Sequence, residues 1–189
     1  MLGFYFIFFA GTIVWMAPPF KQYRTSYFYF FLVPAISGPL MTFYVFVLGL
    51  NGNNLYPPFY LFQLAALVNN PWRRILFILS VLLIFIIPIL EIGSGLIFVF
   101  CILIETAILI IVATSIISNI VYKHLLNVFL LLLIIFLATD IFKLAAVALN
   151  LEKGVINFYI GASVQIIFGL LFCFINENTK TISIQNPNK

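Results

Sequence analysis

Residues 95–149 read GLIFVFCILIETAILIIVATSIISNIVYKHLLNVFLLLLIIFLATDIFKLAAVAL. Two almost wholly apolar runs, 95–121 and 125–149, flank the polar turn Tyr122-Lys123-His124. A helix needs about 20 apolar residues to cross the roughly 30 Å hydrocarbon core of a bilayer. Both runs exceed that length, so the stretch predicts a transmembrane helical hairpin. Glu105, Asp140 and Lys143 are the charges set inside it.

The rest of the chain agrees with a lipid environment. Of 189 residues, 65% are hydrophobic and 7% charged, and the mean hydropathy is +1.22. A soluble domain of this size needs a charged shell, which nine basic and five acidic side chains do not supply. The composition therefore predicts an all-α, polytopic integral membrane helix bundle. The net charge of +4 comes from basic residues scattered singly and in pairs between apolar runs. That pattern fits anchoring at a cytoplasmic membrane surface and excludes a nucleic-acid-binding patch.

Working outward from the hairpin, five further segments are read as helical. Residues 2–20 are apolar with no basic n-region or small-residue cleavage site, so they are expected to stay as a first span, closed by Pro18 and Pro19. Residues 26–50 form a second, with a helix break expected at Pro34, Gly38 and Pro39, because proline removes a backbone donor and crowds the preceding turn. The break is read either as a cavity wall or hinge, or as a packed structural kink. Residues 56–68 make a short third piece containing Gln63, only ~20 Å long at 1.5 Å per residue. Residues 72–90 are the fourth span, entered through Trp72-Arg73-Arg74, and residues 155–175 the seventh. Residues 1–175 thus read as one transmembrane domain and 176–189 as a short polar cytoplasmic tail.

Charge parity chooses between six and seven crossings. With seven, alternate loops place Lys21, Arg24, Arg73, Arg74, Lys123, Lys180 and Lys189 on one side and Lys153 on the other. The positive-inside rule then sets the amino terminus outside and the tail in the cytoplasm. A re-entrant 56–68 would put Arg73 and Arg74 on the wrong side. Seven spans are expected, with six as the alternative, and the bias suits a bacterial inner membrane. Eight of the nine prolines precede residue 89, which argues against two similar three-helix halves of the kind many transporters repeat.

Glu105 and Asp140 lie equally far from the hairpin turn, ~25 Å along antiparallel helices, hence at one depth. Lys143 follows Asp140 by three residues, on the same helical face. Gln165 falls at nearly the same level, between Gly161 and Gly169, whose spacing permits close helix approach. A four-residue buried polar layer, Glu105, Asp140, Lys143 and Gln165, is therefore expected. An ionisable group at the bilayer centre costs roughly 2.5–3.5 kcal/mol on insertion scales, so these groups should pair rather than face lipid. The layer reads either as functional (a proton relay, a ligand counter-ion or a catalytic pair) or as an ion pair that fixes helix register.

Other chemistry is thin. Cys101 and Cys173 lie near opposite ends of their helices, ~15–20 Å apart in depth, too far for a disulfide. No metal-ligand spacing occurs, and neither a metal nor a cofactor is expected. His124 reads as a surface residue beside Lys123. The seventh helix has no lysine for a retinal Schiff base, and nucleotide-loop, serine-hydrolase and zinc-protease motifs are lacking. The 23 Phe and 9 Tyr read as lipid-facing and interfacial packing. Three function classes follow. The first is a non-enzymatic multi-pass module, sensor-like or a small subunit of a membrane complex, partnered by another membrane protein or by its own copy. The second is a small proton- or ion-coupled transporter or channel using Glu105, Asp140 and Lys143. The third is an intramembrane enzyme acting on lipid, with paired carboxylates as acid and base.

Overall fold

The computed structural model describes the backbone of residues 2–90, 92–149, 154–179 and 181–183, and the side chains of these except 2–6, 8, 154–158 and 183. Lys153, Lys180 and Lys189, used in the loop count above, lie outside the described residues. The helices are α1 (Leu2–Trp15), α2 (Pro18–Gln22), α3 (Phe28–Phe46), α4 (Tyr56–Leu67, preceded by a 3₁₀ turn Gly52–Leu55), α5 (Trp72–Leu90), α6 (Ser94–Lys123), α7 (Val128–Ala148) and α8 (Gly154–Phe174). A three-residue antiparallel pair, β1 (Leu125–Asn127) with β2 (Thr181–Ser183), accompanies them, with Leu126 opposite Ile182. The chain is an all-α helix bundle.

Helices α3, α5, α6 and α7 are long and apolar enough to cross a bilayer, which makes this an integral membrane protein. The 30 residues of α6 extend about 45 Å, more than the hydrocarbon core requires. It ends on His124, which takes a left-handed φ of 52° and so turns the chain into β1. Asn127 opens α7 by accepting from the Phe129 N–H at 2.9 Å, satisfying one of the free donors of the first turn.

The helix expected to be kinked or broken at Pro34, Gly38 and Pro39 is not interrupted there: α3 runs from Phe28 to Phe46 with both prolines inside it. Proline's fixed φ near −65° is itself helical, so the cost is confined to the missing donors and to crowding. Gly38 matters for another reason. A Cβ there would lie 2.7 Å from Thr12 Cγ2, so the missing side chain lets α1 and α3 touch.

The phenylalanines are not only lipid-facing, as composition suggested. Phe30, Phe31, Phe129 and Phe172 have no exposed surface. Phe31 and Phe172 rings meet at 4.8 Å and Trp15 and Phe136 at 5.1 Å, locking α1, α3, α7 and α8 together. By contrast α5 presents Ile78, Phe85 and Ile89 outward, the pattern of a helix at the lipid boundary.

One end of the bundle is tied by polar contacts. Gln22, fully buried, donates from Nε2 to the carbonyls of Phe172 (3.2 Å) and Ile175 (2.9 Å). The Ser26 N–H and hydroxyl donate to Glu177 (3.0 and 3.2 Å), and Asn127 donates to the Glu177 carbonyl at 2.9 Å. The α2–α3 loop, the α6–α7 turn and the segment after α8 are therefore neighbours.

Candidate functional site

Short α4 lies between α3, α5 and α6, and Tyr60 and Gln63 are buried within it. From the opposite side α7 presents Asp140 and Lys143, one turn apart, and α8 presents Gln165. Lys143 Nζ lies 2.7 Å from Asp140 Oδ1 and donates to Gln165 Oε1 at 2.8 Å. Gln165 Nε2 donates to the same Asp140 oxygen, closing a three-membered ring of contacts. Tyr60 donates its hydroxyl to Asp140 Oδ2 at 2.5 Å. One carboxylate, 4% exposed, thus collects donors from three helices.

The approach of α8 to α7 depends on Gly161, where a Cβ would stand 3.1 Å from both Cβ and Cγ of Lys143. The lysine stem lies across this glycine, which brings its ammonium level with Gln165. Gly169 serves a different neighbour: a Cβ there would meet Val14 Cγ1 of α1 at 2.7 Å. The two glycines of the expected small-residue spacing thus face two helices.

Glu105 does not join the ion pair. It is 1% exposed, on the buried stripe of α6 that includes Cys101 and Ile108, and its Oε2 has no hydrogen-bond partner among the described residues. Of the expected cluster, Asp140 and Lys143 close a ring with Gln165, while Glu105 makes no hydrogen bond or ion pair with them among the described residues. The physical reason is reach: Lys143 closes on a carboxylate of its own helix at i, i−3, which demands no rearrangement between helices.

The ring lines a cavity of about 220 Å³ bounded by α1, α3, α4, α7 and α8. Asp140, Lys143 and Gln165 face Pro34, Ser37 and Gly38 of α3 across it, with Trp15 and Phe136 among the apolar lining. The proline-containing stretch is therefore a cavity wall, although not a broken one. Glu105 does not line this cavity. Asp140 has three donors on its two oxygens, whereas Lys143 has used two of its three N–H groups. The ring can therefore donate one further charged hydrogen bond into the cavity.

Tyr60 was missed by sequence reading, although a signal exists. Tyr56, Tyr60 and Gln63 stand at i, i+4 and i+7 on a helix too short to span alone, which is one helical face. All three line the cavity. Cys101 and Cys173 are free thiols, and among the described residues no group of three or more His, Cys, Asp or Glu side chains converges. No protein family, curated protein or solved structure matches this chain.

Proposed function

We propose that the chain is a seven-span membrane module of the sensing kind. It binds a small polar ligand against Lys143 and passes its occupancy to a partner membrane protein or to a second copy of itself. The observation that carries this reading is the cavity: a charged, hydrogen-bonded ring that served only to fix helix register would need no space beside it. At about 220 Å³ the space is below the roughly 300–1,000 Å³ of drug-sized sites, which favours a ligand of few atoms. The remaining Lys143 donor favours one bearing a carboxylate or carbonyl oxygen.

Parity supports the seven crossings. With α4 re-entrant, the α2–α3 loop and the segment after α8 would lie on opposite faces of the membrane. Gln22 bonding Phe172 and Ile175, and Asn176 bonding the Lys21 carbonyl at 3.3 Å, favour their lying on one face. Lys21, Arg24 and Lys123 belong to that end. Their charge supports its being cytoplasmic, with the amino terminus outside, as in a bacterial inner membrane.

The test is a thermal-shift titration of the purified full chain against amino acids and short carboxylic acids at millimolar concentration. A saturable rise in Tm is expected for at least one of them. Ala162→Leu, which fills the cavity from α8, should abolish it. No rise with any compound, or a rise that survives Ala162→Leu, overturns the reading.

Glu105 favours a second reading, proton-coupled transport. A buried carboxyl with a donor-free oxygen, one helix away from an Asp–Lys pair, is the residue type that carries protons in pumps. Proton-coupled uptake into proteoliposomes that is unchanged by Glu105→Gln removes it.

A further inference from the structure

The outer side of α4 holds a second cavity, separate from the ring and of different chemistry. It measures about 510 Å³ and lies between α3, α4 and α5. Its origin is the length of α4. Twelve residues rise ~18 Å, against ~28 Å for the 19-residue helices on either side, so α4 is recessed between longer neighbours. The lining is apolar, with Leu32, Ile36, Phe59, Phe62 and Phe77 prominent, and it contains a single charge, Arg73.

Arg73 is held in place. Its Nε donates to the carbonyls of Ala65 (3.3 Å) and Val68 (3.2 Å), which lie at the end of α4. The two terminal guanidinium nitrogens have no partner among the described residues. Arg74 follows it, exposed, and among the described residues no carboxylate pairs with either arginine; the one ion pair there is Lys143 with Asp140. Tyr29, in the first turn of α3, lines the same groove, and the chain directions bring it to the Arg73 end.

We propose that this groove is a binding site for one anionic phospholipid, with an acyl chain in the α3–α4–α5 cleft and the phosphodiester on Arg73 and Arg74. An unpaired guanidinium fork matches two phosphate oxygens. The apolar lining above it excludes a free phosphate as the natural occupant. Two uncompensated arginines prefer a net negative headgroup to a zwitterionic one, whose own cation competes for the phosphate. Anchoring of Arg73 on α4 distinguishes the site from general surface attraction, because the guanidinium has a fixed position relative to the cleft.

The reporter is Trp72, 65% exposed and adjacent to Arg73, whereas Trp15 is buried at 9%. The full chain is reconstituted in dioleoylphosphatidylcholine bilayers containing increasing fractions of tail-brominated phosphatidylglycerol or tail-brominated phosphatidylcholine. Brominated phosphatidylglycerol is expected to half-quench Trp72 at a mole fraction at least fivefold lower than brominated phosphatidylcholine. That ratio should fall below twofold in Arg73→Gln/Arg74→Gln, and also in Ala66→Phe, which fills the cleft. Ala66→Leu serves if the larger residue disturbs folding. Lys123→Gln, an exposed cation outside the groove, should keep the ratio. Equal quenching of the unmodified protein by the two lipids overturns the proposal. So does a loss in Lys123→Gln as large as in the arginine variant, or retention of the full ratio with the cleft filled.

Discussion

Asp140 has its two oxygens shared among Lys143, Gln165 and Tyr60, and the consequences of removing each donor differ. Lys143→Met takes away the only cation and leaves a buried carboxylate, a change that costs about 3–5 kcal/mol where a buried pair is broken one-sidedly. Asp140→Leu combined with Lys143→Met removes both charges and should recover most of that loss, read as a shift in the unfolding midpoint in mixed micelles. Recovery under a third of the loss counts against mutual pairing as the main role of the two residues. Tyr60→Phe removes one hydrogen bond to a charged acceptor. Interhelical polar contacts in membranes average ~0.6 kcal/mol and reach ~1.7, so a loss of about 1.5 kcal/mol is expected from a bond to a carboxylate. Glu105 should behave in the opposite sense. Its Oε2 makes no hydrogen bond, so Glu105→Met exchanges an unsatisfied polar group for an apolar one of similar size. Stability is expected to stay level or rise by about 1 kcal/mol. A clear fall would show that the carboxyl has a structural partner, and a level stability with lost function would mark it as a working residue.

The helices themselves were largely legible, and the reason is the solvent. A segment in lipid must satisfy its backbone internally, so run length between polar turns is enough to find it. Residues 72–90 read as a span and form a helix over those same residues, and the hairpin turn at Tyr122–His124 lies where α6 ends. Rotation about each helix axis was not legible. A helix apolar on all sides carries no marked stripe to show which face turns inward, so Glu105 could not be told from Asp140 by its direction. Close packing of α8 was signalled by Gly161 and Gly169, but which helix each one meets was not, since eight residues carry the second about 80° round the axis. This gives an element-scale test. Gly169→Ala puts a methyl 2.7 Å from Val14 Cγ1, and overpacking of that kind costs typically 1–3 kcal/mol. Val14→Ala in the same chain removes the obstructing atom and should return at least half of the loss. If Val14→Ala only adds to the destabilisation, the contact between α1 and α8 is not what Gly169 is small for.

At the scale of the whole molecule, the contacts at one end support the proposed seven crossings. Gln22 is buried against the end of α8, and β1 pairs with β2. On the proposed seven-span reading, the α2–α3 loop, the α6–α7 turn and the segment after α8 share a side. Between the first two of these lie α3, α4, α5 and α6. Four crossings return the chain to its starting side; three, with α4 re-entrant, do not. Labelling in intact cells tests this directly. In a chain with Cys101→Ala and Cys173→Ala, single changes Tyr23→Cys, Leu50→Cys and Tyr122→Cys report the two loops and the turn, at positions that are 63%, 41% and 81% exposed. A membrane-impermeant maleimide should reach Leu50→Cys from outside, and Tyr23→Cys and Tyr122→Cys only after permeabilisation. Labelling of Tyr23→Cys and Tyr122→Cys from opposite sides would mean that α4 does not cross. Labelling of both from outside, with Leu50→Cys protected, would keep seven crossings and reverse the orientation. Lys21, Arg24 and Lys123 would then lie on the face that the positive-inside rule disfavours.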